Sequence, residues 1–450
     1  MIVSTPIWTD RAPDYRAYYF SPRWETERTT GGEFNVLPRH SSIPKSIPPD
    51  PSVVSNALPF VSCQCLYLSP SLEITTPNSL EDTRMIRYIA FGVPPPSIMV
   101  TIMQRLSIST TTFASVTLGA RILQSMIDFS DKTDWMAYGK PVDNLHSQAC
   151  ITPEEGSGLI CTRGRLTAAI ELTGYKFFLS NNISGYSFLK RTVPLVTRVA
   201  SYYPQIWTKQ GKIFTQKVLD LGVLELCYFV WADTMASTLL GTSPLLRYDS
   251  SICEGSNPKN HLEWMNGSPQ EFIVWFSRLN DLRASKQRNG GEILVDWEKI
   301  EKDIQALETA VDRTECSSDN VARLAVVCGW KNALLIYLYV GVYGVNSSDS
   351  RVQSAVKQVI QLALVQHRTA FKRHLLAPAI FAGACARLES QRRSIMCIIS
   401  SRRCSQMWIL QISDFVFVLQ HLWHGAAKDG RPITWDDYLR SRRAILRISE

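Results

Sequence analysis

In the stretch "EILVDWEKIEKDIQALETAV" the apolar residues fall at Ile293, Trp297, Ile300, Ile304, Leu307 and Val311. Steps of four and three place them on one side of a helix, so the spacing predicts a helix over 293–311. "NGG" at 289–291 precedes it. A second helix is predicted from about Asp319 to Tyr343, with Ser317 or Ser318 as its N-terminal cap. "GVNSSDS" then breaks the pattern, and "RVQSAVKQVIQLALVQ" resumes it with Val352, Val356, Val359 and Ala363 in line. A short connection between two apolar-faced helices implies antiparallel neighbours. "LKRTVPLVTRVASYYP" and "GVLELCYFVWADTMASTLLG" predict further helices. No sustained alternation of apolar and polar residues occurs, and no exact repeat. The expected fold is all-α, built of packed antiparallel helices.

Proline divides the chain. Eleven of the 23 prolines lie in residues 1–80, whereas residues 270–377 contain none. Proline removes a backbone donor and clashes with the preceding helical turn. Residues 1–83 are therefore expected to be a proline-rich irregular segment, and residues 84–450 the helical domain.

Charge and cysteine change the picture only slightly. Lys and Arg number 48 against 40 Asp and Glu, a net +8. Residues 368–450 hold fourteen basic and six acidic residues, which is +8 at this end alone. Such an end suits nucleic acid or an acidic partner, or is a solvated helix face. The 11 cysteines are dispersed. With no apolar core or cleavage pattern in "MIVSTPIWTDRAPDYR", this points to reduced thiols inside a cell. "ALLIYLYVGVYGV" at 333–345 is too short a run to span a bilayer, so no membrane role is expected.

Candidate chemistry concentrates in "HLWHGAAKDGRPITWDDYLRSRRAILRI", 421–448. His421 and His424 could share a helix face, but zinc needs three or four ligands and no cysteine follows Cys404. Asp436 and Asp437 resemble part of the magnesium motif of all-α terpene synthases, although Tyr438, Leu439 and Arg440 stand where a third carboxylate would be needed. "NDLRASKQ" at 280–287 is a weaker counterpart of those enzymes' second motif. The two aspartates also suit the first turn of a helix, with Thr434 as its cap. "GAAKDGRPIT" is too long for the turn of a DNA-reading helix-turn-helix. Phosphate-binding loops, dinucleotide fingerprints and nucleophile elbows are absent from the sequence. The favoured reading is a hairpin that closes a fold. Trp423 or Leu422 would pack against Trp435, Tyr438 and Leu439, Gly425 and Gly430 would free the turn, and Pro432 would stop the first helix. Arg440, Arg442 and Arg443 are the candidates for contact with phosphate or a partner.

Four stretches together carry a resemblance: 165–194, 261–283, 331–362 and 413–446. In content and order they resemble the regulatory domain of fungal zinc-cluster transcription factors, especially the basidiomycete type, over roughly 85–448. The resemblance implies an all-α domain in the nucleus that regulates transcription through protein partners, with self-association and a small-molecule effector as further options. It implies no catalytic residue, cofactor or resident metal. The zinc cluster of that family needs six cysteines in a basic run, whereas residues 1–149 offer only Cys63 and Cys65. Specific DNA binding by this chain alone is therefore not expected. Either the cluster was lost or the start of the gene is missing. The rivals are a metal-dependent all-α enzyme of terpene-synthase type and a helical scaffold with no part in transcription.

Overall fold

The computed structural model describes residues 109–127, 137–151, 158–252, 267–288, 295–307, 317–366, 369–400 and 409–448. All of them fall within one unit, Asp50–Glu450. The proline-rich segment, its boundary at 83, the cysteine pair Cys63 and Cys65, Ile293, Val311 and the side chains of Ser317 and Ser318 lie outside the described residues. Within them the fold is all-α. Its fourteen helices are α1 Thr110–Ile127, α2 Gly139–Cys150, α3 Leu159–Leu179, α4 Asn182–Ser201, α5 Thr215–Leu221, α6 Leu224–Leu239, α7 Gln270–Arg288, α8 Trp297–Gln305, α9 Ser317–Ile336, α10 Ser350–Val365, α11 Leu376–Ala384, α12 Glu389–Ile399, α13 Ile412–His424 and α14 Trp435–Ile445. The only strands among the described residues are two short parallel ones, β1 Ile213–Phe214 and β2 Tyr248–Asp249.

Local chemistry sets several helix ends. Asn181 caps α4 by accepting the Ser184 amide at 2.8 Å, and Asp349 caps α10 by accepting that of Arg351 at 2.9 Å. Helix α8 begins four residues later than its apolar spacing predicts. The Asp296 carboxylate accepts the Lys299 amide at 2.9 Å, which fixes the cap at 296. The predicted helix from 319 starts at Ser317 and changes character at Tyr337, where the chain takes a π-helical course to Tyr343. It ends at Gly344, with φ of +92°. The whole run Asn320–Tyr343 is apolar and long enough to cross a membrane, but 72% of its most apolar window is buried inside the protein. Helix α4 continues through Pro194, although proline has no amide for the carbonyl one turn back.

The core has a buried centre in α6, where every residue except the half-buried Tyr228 is shielded from solvent. Such a helix must satisfy its polar side chains internally. Asp233 accepts the Leu245 amide at 2.9 Å and the Tyr248 hydroxyl at 2.8 Å, which ties the following loop and β2 to α6. Burial pushes its carboxyl up to about 7, against the pull of these donors. Glu225 accepts from Thr167 at 2.8 Å and pairs with Arg163 of α3 at 3.4 Å. Asn280 of α7 links three elements. Its Nδ2 donates to the Thr234 carbonyl at 3.2 Å, and its Oδ1 accepts from Thr238 at 3.2 Å and from the Tyr337 hydroxyl at 2.7 Å.

A second cluster joins α1 to α4, around Ile122, Val142, Leu172, Tyr175 and Phe188. Next to it His146 of α2 is fully buried and stacks on Phe188, with ring centroids 3.9 Å apart. Its Nε2 lies 3.3 Å from the hydroxyls of Thr173 and Thr192. Burial, then the charges of Arg191 and Lys176, lower its pKa to about 3. A histidine held neutral in the fold adds stability above its ordinary pKa of 6.5, and that contribution is lost as pH falls towards 3. Ring 15N shifts in an acid titration should accordingly show His146 still neutral where an exposed histidine is already charged. A midpoint near 6.5 would contradict this burial.

Candidate functional site at the closing hairpin

Helices α13 and α14 form an antiparallel pair against α11 and the π-helical turn. The apolar spacing of α13 buries Phe415, Val418, Leu419, Leu422 and Trp423. In α14, Trp435, Tyr438, Leu439 and Arg442 are buried. Trp435 is the centre. Its ring stacks on Phe381 at 5.7 Å and meets Tyr337 edge-on at 5.2 Å, with Tyr438 at 4.7 Å. Phe276 of α7 extends the cluster, 5.5 Å from Phe381. Pairs in these geometries add attraction beyond area burial. The Tyr438 hydroxyl donates to the Leu239 carbonyl at 2.8 Å, and the Trp423 Nε1 donates to that of Gly383 at 3.0 Å. Both rings thus sit in the core with their polar atoms satisfied.

The connection between the helices is pinned from outside the hairpin. Arg392 donates to the carbonyls of Ala386 and Ala427 and lies over the Trp423 ring, 5.7 Å from its centroid. Arg387 donates to the Gly430 carbonyl at 2.9 Å. Asp429 and Gly430 adopt left-handed backbone, with φ of +57° and +73°. A Cβ at Gly430 would lie 3.0 Å from the Arg387 carbonyl oxygen, so glycine fits both the backbone and the close approach. Further along, the Ile433 amide donates to the Ser347 hydroxyl at 3.0 Å and the Ser347 amide to the Ile433 carbonyl at 2.8 Å. The turn before α10 and the start of α14 are thereby one unit.

The acidic pair has partners. Asp436 forms an ion pair with Arg283, whose Nη1 also donates to the Gly341 carbonyl at 2.7 Å. Lys286 donates to the carbonyls of Val342 and Tyr343 at 2.9 and 3.0 Å. These two α7 cations satisfy the exposed carbonyls at the end of the π-helical turn. Asp437 accepts from the amide and hydroxyl of Thr434, both at 2.8 Å, and pairs with Arg440. Burial works to raise the Asp437 pKa, but Thr434 and Arg440 together hold it below the ordinary range. Of the residues in "NDLRASKQ", Asn280 is committed to α6 and Tyr337, and Asp281 accepts from Ser250 at 2.6 Å. His421 and His424 are exposed. Among the described residues no group of three or more His, Cys, Asp or Glu side chains is placed to hold a metal ion.

The arginines separate by face. Arg440 and Arg443 are exposed, as is Arg447 beyond the helix. Arg442 is not on that surface, which corrects the expectation that it could meet phosphate or a partner. It is 1% exposed, and its guanidinium points to the carbonyls of Leu446 and Gly241 at 3.4 and 3.5 Å. The reason was legible: Arg442 follows Tyr438 by four residues and Trp435 by seven, which is the buried face. The internal roles of Asp233, Asn280 and Arg283 were not legible, because nothing local marks a long-range partner.

These features define a helical module in which the conspicuous polar side chains join one helix to another. Residues 224–447, from α6 to beyond α14, match the family model of the fungal specific transcription factor domain, and this part of the chain belongs to that family. The match includes three of the four resembling stretches, and 165–194 lies before it. No curated protein and no solved structure matches the chain.

Removing the ring of Trp435 should cost about 3–5 kcal/mol. Asp436→Ala removes the exposed member of an ion pair whose Arg283 keeps the Gly341 carbonyl, and should cost only about 0.2–1 kcal/mol. Denaturant unfolding of the two variants checks the order. A larger loss from the aspartate would return the hairpin to a metal or catalytic reading.

Proposed function

We propose that this chain regulates transcription through protein contacts, as the helical regulatory domain of a zinc-cluster type regulator whose DNA-binding module is not in this sequence. The family match at 224–447 carries the reading. The hairpin geometry supports it. Specific reading of a duplex needs an element that can present side chains to base edges in a groove. Helix α14 is the arginine-rich candidate, but its Trp435, Tyr438 and Arg442 face is turned into the core. Arg440 and Arg443 remain for phosphate or for an acidic partner surface. A metal-dependent enzyme is the weaker reading, since both aspartates of the pair already have cationic or capping partners. The same family match supports a nuclear location.

Fusing the full chain to an unrelated DNA-binding domain tests the regulatory role. Reporter output from that domain's site should change relative to the domain alone, and a fluorescent fusion of the unmodified chain should collect in the nucleus. An unchanged reporter together with exclusion from the nucleus would favour a scaffold elsewhere in the cell. The purified chain should also bind DNA without sequence preference, and that binding should weaken steeply with salt. Arg440→Ala with Arg443→Ala should reduce it further. A site held about a thousandfold tighter than random duplex would overturn the assignment.

A further inference from the structure

Helix α8 differs from its neighbours in how it is held. It spans nine residues, too few for a helix to persist on its own in water. Only Ile300 and Ile304 are buried along its length, whereas α10 buries six residues. Its packing is mainly on α9. The other anchors lie at its edges. The Trp297 ring stands 4.3 Å from that of Tyr343, which is 40% exposed. The Arg351 guanidinium lies over Trp297 at 5.0 Å and over Tyr339 at 4.8 Å. Arg351 is oriented by Asp349, the cap of its own helix, at 2.9 and 3.1 Å, and reaches Glu301 of α8 at 4.0 Å. Lys331 of α9 donates to the carbonyls of Gln305 and Leu307 at 3.0 and 2.6 Å, closing the C-terminal end of the helix.

The body of the domain therefore supplies a complete receptor for a short amphipathic helix. The α9 face takes two aliphatic side chains one turn apart. Arg351, held by Asp349 and Tyr339, takes an aromatic ring and a carboxylate. Lys331 takes the terminal carbonyls. None of these groups belongs to α8 itself. Receptors of this kind read a helix by anchors at i, i+3, i+4 and i+7. Here those positions are Trp297, Ile300, Glu301 and Ile304.

We propose that α8 is a detachable internal ligand occupying a helix-docking groove on α9 and α10, and that a partner protein competes for the groove with a helix of the same pattern: aromatic, aliphatic three residues on, acidic next to it, and aliphatic three further. This names the partner chemistry for a domain that acts through protein contacts, and rests on that reading. The groove is then closed in the isolated chain and opens as α8 leaves. A partner helix meets an apparent affinity reduced by the fraction of time α8 is docked.

Two measurements on the full chain test this, and both are blind to transcription, so they can fail while the regulatory role stands. In native-state hydrogen exchange, the amides of Ile300 to Leu307 should exchange through a local opening, faster than the buried amides of α9 and α10. Equal protection of all three helices would overturn the proposal. In the second, a fluorescent peptide of residues 295–307 is titrated into the wild-type chain and into an Ile300→Asp, Ile304→Asp variant that frees the groove. The variant should bind the peptide at least about tenfold tighter, as expected when most of the wild type is self-occupied. A peptide carrying the same two substitutions should not bind. Equal binding to both chains by the native peptide would refute a shared groove. Should the variant fail to fold, the exchange result on the wild type decides alone.

Discussion

Trp435 is the point at which this fold closes. Its ring lies between Phe381 of α11 and Tyr337 of the π-helical turn, and the Tyr438 beside it reaches back to the end of α6. Residues nearly two hundred positions apart are joined there. The chain entropy lost in bringing them together must be offset by what they bury. A large aromatic ring with further rings as neighbours is well suited to that, because it contributes much area for few rotatable bonds. The rest of the closing hairpin follows from this requirement. Arg387, Arg392 and Ser347 hold its connection, and Thr434 with Asp437 starts α14 where the tryptophan can enter.

The polar chemistry of the domain serves the same end. A buried helix such as α6 carries Glu225, Asp233 and Thr238 shielded from solvent, and each is used to bind another element. The π-helical turn leaves carbonyls that α7 satisfies with Arg283 and Lys286. Glu225, Asp233, Arg283 and Lys286 are thus structural joints.

Much of this was legible in the sequence. Val352, Val356, Val359 and Ala363 are buried as their spacing implies, and the hairpin's helices end and begin where Gly425 and Thr434 suggest. Two kinds of feature were not. Helix α8 starts at Trp297 because a single carboxylate, Asp296, outweighs the continuing apolar pattern before it. The π-helical course from Tyr337 is met by Asn280 and Arg283, which are distant in sequence. For the site, the charge of Arg442 points to the surface, whereas its position on the Trp435 and Tyr438 face buries it. An arginine on an apolar stripe can lay its stem along the core while its guanidinium finds backbone carbonyls. Arg440 and Arg443, off that stripe, are exposed as the helical spacing requires.

Helix α14 is an integral wall of the core, closed by Trp435 and Tyr438. Hydrogen exchange of its amides over a denaturant series measures this most directly. The account predicts that the amides of Tyr438 to Ile445 exchange only through global unfolding, with the same free energy and denaturant slope as those of α6. Exchange of α14 through a separate, low-energy opening while α6 stays protected would contradict it.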